Sequence, residues 1–196
     1  MRSLCLLLLL PAACAAGEFN KKLSLGDPAP VWKDLPGTDG KKHSLADYAD
    51  KEVVVVVFTC NSCACSEEYE DRIIAFADKY KAKVGVVAIN VNNIPEDRLD
   101  AMKKKADKKK FPFAYLYDES QKIAREFGAT YTPEFFVLTR ARKVAYMGAM
   151  DDKTKVDDVK ERYLESAVEA AITGEKPKTG ETNPHGCLIR FKRARD

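Results

Sequence analysis

The hydrophobic positions of this chain form short continuous runs separated by stretches of helical periodicity. Val53–Phe58 is a run of valines closed by a phenylalanine, with no polar alternation, which is typical of a strand buried on both faces. Residues 84–91 form a second run of this kind. Between them, from residue 66 to residue 80, apolar residues recur near a helical period, which predicts a helix joining two strands.

The second half of the chain predicts three further helices and three further strands. The helices are predicted from residue 95 through the lysine clusters at 103–110, over 118–128, and over 155–173; the strands are predicted at 111–117, 134–138 and 143–147. The lysine clusters are expected to form a solvated helix face. Strands that alternate with helices and then end in a hairpin and a final helix predict an α/β domain with a mixed sheet.

The first sixteen residues have the pattern of an export signal. A positive residue precedes the apolar run 4–10, and small residues follow it, so residues 1–16 are predicted to be a signal peptide. The run is too short to span a membrane. We expect the mature protein to be periplasmic or secreted. Cys14 also resembles a bacterial lipoprotein cleavage site, although Pro11 stands where that motif has Leu or a similar residue, so a membrane tether is expected only if Cys14 is lipidated.

Composition predicts one globular domain with appendages. The chain has 196 residues, of which 45% are hydrophobic and 32% are charged. Its net charge of +3 is too small to indicate a nucleic acid or a membrane surface as partner. We expect the folded domain to cover residues 20–174. Residues 175–196 are rich in Pro, Gly and charge, and we expect them to form a tail outside the core.

The cysteines that remain after the leader point to reactive sulfur. Cys60, Cys63 and Cys65 lie so close together that disulfides among them would constrain little chain entropy. Cys60 and Cys63 form a C-x-x-C pair between a buried strand and a predicted helix, where the helix dipole favours a thiolate. We expect Cys60 to be the exposed, attacking thiol and Cys63 to be the more enclosed, resolving thiol.

A Thr-Pro pair provides a second candidate element of the site. Thr132 and Pro133 precede a predicted strand, a place where cis prolines occur in turns. A cis bond there would expose the backbone of Thr132 for pairing with an extended substrate peptide. A trans proline at the first residue of a strand is the alternative. Glu134, beside the proline, is a further candidate, for proton transfer to Cys63.

Four segments carry a family resemblance: residues 26–30, 55–63, 115–118 and 131–138. They resemble thioredoxin-fold redoxins, of the branch related to peroxiredoxins and to bacterial thiol–disulfide oxidoreductases. An exported subfamily carries Cys-Asn-His-Cys-Pro, Tyr-Glu-Asp-Arg, Tyr-Leu-Tyr-Asp-Glu-Ser and a C-terminal Gly-Cys, and this chain is similar to it at 60–63, 69–72, 115–120 and 186–187.

This resemblance covers roughly residues 23–173. It implies a thioredoxin-like α/β fold with a central mixed sheet flanked by helices on both faces. It also implies an exported thiol–disulfide oxidoreductase that needs no cofactor and acts on protein or small-molecule thiols and disulfides.

The chain departs from that subfamily beside the cysteine pair. Ser62 stands in place of the histidine and Ala64 in place of the proline. Because that histidine can stabilise the neighbouring thiolate, its loss implies a less acidic Cys60 and a less oxidising pair. Cys65 is extra, and is either a second resolving thiol or a small buried residue. 

A cysteine in the predicted tail is a further candidate accessory thiol. Cys187 closes a turn-like Asn-Pro-His-Gly-Cys segment. It is either a mobile third thiol that folds back to the C-x-x-C pair, where it relays electrons or forms a disulfide with Cys65 or Cys63, or part of a disulfide that anchors the tail.

Three other functions compete with thiol–disulfide exchange. A thiol peroxidase would resemble peroxiredoxins, but their Pro-x-x-x-Thr-x-x-Cys motif is absent around Thr59 and Cys60. A copper carrier could use Cys60, Cys63, Cys65 and His185 as ligands. Exported copper chaperones, however, have a Cys-x-x-x-Cys spacing, which Cys60 and Cys63 do not share, so we expect no metal. A non-catalytic module would use the Thr-Pro edge only to bind peptides.

Overall fold

A computed structural model describes residues 17–193 of the chain. The predicted signal peptide, including Cys14, lies outside the described residues, as do residues 194–196. Within the described range, no helix combines the length and apolar character needed to cross a bilayer.

The described chain forms nine strands and four α-helices. The strands are β1 (Leu35–Pro36), β2 (Lys42–His43), β3 (Val53–Phe58), β4 (Val84–Asn90), β5 (Ala114–Tyr117), β6 (Tyr131–Thr132), β7 (Glu134–Leu138), β8 (Val144–Gly148) and β9 (Cys187–Leu188). The helices are α1 (Ala64–Tyr80), α2 (Leu99–Lys109), α3 (Lys122–Phe127) and α4 (Tyr163–Thr173).

Five of these strands form the central sheet, in the order β5-β4-β3-β7-β8. Strands β3, β4 and β5 are parallel, whereas β7 is antiparallel to both β3 and β8. The predicted mixed sheet is therefore confirmed. Because β3 lies in the middle of the sheet, the residues that follow Phe58 emerge at the centre of one sheet edge.

Helices cover both faces of this sheet. Alternate side chains of β3 enter two separate apolar layers, as expected for a strand buried on both sides. One layer packs against α3, and the other packs against α1, α2 and α4. This arrangement confirms the predicted α/β fold with helices on both faces.

Three predicted helices begin later than the sequence pattern indicated, including α3, which begins at Lys122 rather than near residue 118. Residues Pro95–Asp97 form a 3₁₀ turn, and Arg98 is extended before α2 begins. The last helix begins at Tyr163, because the N–H groups of Lys160 and Glu161 donate to the Asp152 carboxylate instead of to helical carbonyls. Its predicted end is confirmed by Gly174, which caps the helix at a φ of 79°.

The prediction that the C-terminal tail lies outside the core is wrong for its last part. Strand β9 pairs antiparallel with β6, and Ile189 is buried in the same apolar layer as α3. The buried side chain of Gln121 donates to Arg190 O and accepts from Lys192 N. The composition of the tail did not reveal this docking, because the segment is held by few apolar side chains together with hydrogen bonds from residues far along the chain.

Candidate active site

The cysteine pair lies where the central strand meets the first turn of α1. Cys63 is the N-cap of the helix, and its Sγ accepts the Ser66 N–H at 3.4 Å. Both sulfurs are enclosed, because Cys60 is only 3% exposed and Cys63 only 2%. The expectation that Cys60 is exposed is therefore wrong. The reason is that residues distant in the chain, such as Thr132, pack against its sulfur.

A buried carboxylate holds the loop between the two cysteines. Asp97 Oδ1 accepts the backbone N–H groups of Asn61 at 2.6 Å and Ser62 at 3.0 Å. Its Oδ2 accepts the Ser62 hydroxyl at 2.6 Å. Asp97 is completely buried, so these bonds compensate for the burial of its charge. The carboxylate fixes the loop and places negative charge near Cys60.

Sequence reasoning missed Asp97, because it assigned residue 97 to a solvated helix. The one available signal was its position, since it follows the end of a buried parallel strand, as the cysteine loop does. Carboxyl ends of parallel strands meet at one edge of the sheet.

Part of the lysine-rich helix also faces the site, which corrects the prediction of a fully solvated face. Lys105 forms an ion pair with the buried Glu70 and lies 3.4 Å from Asn61 O, to which it donates. Lys109 pairs with Glu70 at 3.3 Å and with Asp71 at 3.0 Å. These contacts join α2 to α1 and to the cysteine loop.

The Thr-Pro pair contacts both cysteines. The Thr132–Pro133 peptide bond is cis. The Thr132 hydroxyl lies 3.4 Å from Cys60 Sγ, and its carbonyl oxygen lies 3.1 Å from Cys63 Sγ. The structure thus brings together Cys60, Cys63, Thr132 and Pro133, as the sequence predicted, at the sheet edge.

The edge expected to bind substrate is already paired with the protein's own tail. Thr132 is opposite Cys187 in the β6–β9 ladder, and Tyr131 is opposite Leu188. The Thr132 hydroxyl also donates to Cys187 O at 3.4 Å. The expectation of an open peptide platform is therefore wrong in this conformation, because β9 occupies it.

The negative charge of the cysteine pair is better placed on Cys63. Its pKa is lowered by hydrogen bonds from Cys60 first, then from Cys187 and the Ser66 N–H, against opposition from burial. The pKa of Cys60 is raised because its S–H donates to Cys63, because it is buried, and because Asp97 is near. The Thr132 carbonyl favours a protonated Cys63, but three donors outweigh this one acceptor.

Two further sulfurs surround Cys63. The Sγ atoms of Cys63, Cys65 and Cys187 all lie within 4.8 Å of one another. Cys65 is half-buried and Cys187 is exposed. Three thiols this close can share a soft metal ion or exchange a disulfide. This set differs from the four ligands considered from the sequence, since it omits Cys60 and His185.

Glu134 supports the loop that carries the Thr-Pro pair. Its Oε2 accepts the N–H groups of Thr130 at 2.8 Å and Tyr131 at 3.0 Å. Burial raises the pKa of this carboxyl to about 7. The proton-transfer role suggested by the sequence gains no contact with Cys63 in the described part of the structure.

Comparisons with known proteins agree with this fold. A profile of the Redoxin family matches residues 24–163. The chloroplastic peroxiredoxin Q of Gentiana triflora is 32% identical over 121 residues, which make up 60% of this chain and 52% of that protein. The chain thus spans about half the length of this curated relative.

Solved structures share the thioredoxin-like architecture. A hypothetical protein of Sinorhizobium meliloti 1021 matches with a TM-score of 0.83 at 30% identity, covering 89% of this chain and 98% of that one. A candidate thiol:disulfide interchange protein DsbE of Chlorobium tepidum matches with a TM-score of 0.63 at 27% identity, covering 76% and 99%. Because the family profile spans well over half of its length, this chain belongs to the Redoxin family.

Proposed function

We propose that this redoxin is an exported thiol–disulfide oxidoreductase that exchanges disulfides with protein or small-molecule thiols through Cys60 and Cys63. The observation that carries the proposal is the hydrogen bonding of Cys63, whose sulfur receives donors from Cys60 and from the first turn of α1. A thiolate held in this way is a nucleophile near neutral pH. The oxidoreductases among its structural neighbours support the same chemistry.

In the reducing direction, the Cys63 thiolate attacks a partner disulfide and displaces one partner thiolate. Cys60 then attacks the Cys63 sulfur, the Cys60–Cys63 bond forms, and the second partner thiol leaves. Two cysteine thiols are oxidised while one partner disulfide is reduced, and the reverse steps oxidise a partner. Attack by Cys63 reverses the order expected from the sequence, because the structure favours the anion there.

Insulin reduction in dithiothreitol tests the activity. We expect Cys60→Ser and Cys63→Ser each to reduce the rate at least about 100-fold, because either change removes one sulfur of the exchanging pair. Cys65→Ser is the matched control and should retain activity. A wild-type protein that does not accelerate insulin precipitation would instead support the peptide-binding module.

Thiolate absorbance at 240 nm tests which sulfur carries the charge. We expect a low-pKa thiolate in the wild-type protein and in Cys60→Ser, whose serine hydroxyl can still donate to Cys63. The signal should be lost in Cys63→Ser. Loss of the signal in Cys60→Ser with its retention in Cys63→Ser would show that Cys60 carries the charge instead.

Peroxide reduction is the second candidate, supported by the identity with peroxiredoxin Q. In this reaction a thiolate takes one oxygen from the peroxide and becomes a sulfenic acid, which a second thiol condenses to a disulfide with loss of water. Hydrogen peroxide consumption in dithiothreitol, measured beside insulin reduction, ranks the two activities. We expect insulin reduction to dominate, since the peroxiredoxin motif is absent.

Export is a separate part of the proposal, supported by the signal-peptide pattern of residues 1–16. N-terminal sequencing of the protein from an expressing cell should find a mature chain that begins around Gly17. A chain that begins at Met1 would contradict export by this route.

A further inference from the structure

The tail that covers the cis-proline edge is anchored on both sides of Cys187. Downstream, the Ile189 N–H donates to Thr130 O at 2.8 Å, and the Ile189 side chain is buried. Upstream, Gly186 lies so close to the Thr132 carbonyl that a Cβ at this position would overlap it. The tail is therefore a fitted strand, and its register places Cys187 opposite Thr132.

This fit has a consequence for access to the cysteine pair. Cys60 and Cys63 are almost fully buried beneath the tail and the Thr-Pro loop. Cys187 touches the same sulfur cluster but is exposed to solvent. A protein partner that cannot reach Cys63 can still reach Cys187.

We propose that Cys187 is a third catalytic thiol, through which the Cys60–Cys63 pair exchanges disulfides with its partners. The inference rests on the proposed oxidoreductase function. The tail strand takes the place of a bound substrate peptide and presents its own cysteine to Cys63. A protein partner therefore exchanges with the exposed Cys187 instead of being attacked by Cys63 directly, and no extended partner peptide has to enter the edge.

The steps balance without any added reagent. In the oxidised chain, the Cys187 thiolate attacks Cys63 Sγ, the Cys63–Cys187 bond forms, the Cys60–Cys63 bond breaks, and Cys60 leaves and takes a proton. A partner thiolate then attacks Cys187 Sγ, and Cys63 leaves as the stabilised anion. A second partner thiol releases the partner as a disulfide and restores the Cys187 thiol. Reversal of these steps reduces a partner disulfide.

The protonation of Cys187 fits an intermediate that acts after oxidation. In the reduced chain its pKa is raised, first because it donates a hydrogen bond to Cys63, then by burial, and also because that anion is close. Once Cys63 is in a disulfide, it carries no charge and this cause is removed. Cys187 then ionises more readily than it does in the reduced chain.

Cys65 is the competing sulfur in the same cluster. Its Sγ is also within 4.8 Å of both other sulfurs, but it lies only two residues after Cys63, so a Cys63–Cys65 bond would join the N-cap of α1 to the second residue of the same helix. Cys187 instead approaches Cys63 from a separate strand. Cys65→Ser is therefore the matched control for Cys187→Ser.

Disulfide mapping of Cys60→Ser tests the internal bond. The full chain is oxidised with one equivalent of diamide, alkylated and digested with trypsin. We expect a cross-link between peptide 52–72 and peptide 179–190, with fragment ions that place it on Cys63 and Cys187. A Cys63–Cys65 bond within peptide 52–72, or no internal bond, would overturn the proposal.

Insulin reduction by the single variants tests the role in turnover. We expect Cys187→Ser to slow the reaction at least about tenfold and Cys65→Ser less than about twofold, because only the former removes the exposed thiol. Equal rates for Cys187→Ser and wild type would overturn the proposal. If the cross-link forms but the wild type does not reduce insulin, the result contradicts the oxidoreductase function and supports only a Cys63–Cys187 disulfide that holds the tail.

Discussion

Two regions of the molecule meet at Cys63 and are built in opposite ways. The inner region is the cysteine loop, where the fully buried Asp97 binds Asn61 and Ser62 through three hydrogen bonds. The outer region is the tail strand β9, a two-residue ladder whose side chains Cys187 and Leu188 are exposed. One region is fixed by buried charge, and the other by the buried Ile189 and a few hydrogen bonds.

This difference separates two demands on a redox site. The inner region keeps Cys60 and Cys63 in a constant geometry and out of water. The outer region opens at lower cost, because few apolar contacts and short ladders hold it. Substitutions in the inner region should therefore lower the free energy of unfolding more than substitutions in the tail strand.

The largest effect is expected from Asp97→Ala. The change leaves two backbone N–H groups, one hydroxyl and the side-chain amide of Asn92 without their acceptor, and should lower the free energy of unfolding by about 4 kcal/mol. Urea denaturation measures it. Ser62→Ala is the control, since it removes a single donor and should cost about 1 kcal/mol. Equal costs would mean that the inner region does not depend on the carboxylate.

Glu134→Gln tests the support beneath the outer region through its pH dependence. The carboxyl has a pKa of about 7 in the folded protein against an ordinary value of 4.5. The folded state therefore holds a proton that the unfolded state releases, and this residue makes stability fall as the pH rises from about 4.5 to about 7.

The pKa difference corresponds to about 3 kcal/mol in total. Urea unfolding at pH 4 and at pH 8 should show that the free energy of unfolding decreases by about 3 kcal/mol less in Glu134→Gln than in the wild type. A variant whose stability falls as steeply as that of the wild type would contradict the buried, protonated carboxyl.

Ile189→Ala asks whether the tail belongs to the cooperative fold. Its side chain is buried, so truncation should cost about 2 kcal/mol by loss of apolar burial and by the cavity left behind. Leu188→Ala is the matched control, because Leu188 is 66% exposed and should change stability by less than about 0.5 kcal/mol. If Ile189→Ala leaves the free energy of unfolding unchanged, the tail does not belong to the cooperative fold.

The smallest effect on stability is expected from Gly186→Ala, and it sharpens the comparison through reactivity. The added Cβ would overlap Thr132 O, so β9 must move away from β6, at a cost of about 1 kcal/mol. Iodoacetamide should then label Cys63 faster than in the wild type. His185→Ala, one exposed residue earlier, should leave the labelling rate unchanged.

The sequence predicted the parts of this structure that local pattern determines. The valine run, the helix after it and the strand Glu134–Leu138 follow from periodicity. The candidate residues Cys60, Cys63, Thr132 and Pro133 follow from their positions next to predicted strands. Asp97 and Ile189 were missed because their partners lie far along the chain. A polar residue after a strand, or one isoleucine in a charged tail, reveals its burial only through tertiary contacts.

The serine between the two cysteines has a further consequence. Ser62 donates its hydroxyl proton to the Asp97 carboxylate and stays neutral across the physiological range. Where an imidazole would gain or lose charge on mild acidification, this hydroxyl does not respond. Mild acidification therefore adds no positive charge at this position beside the cysteine pair.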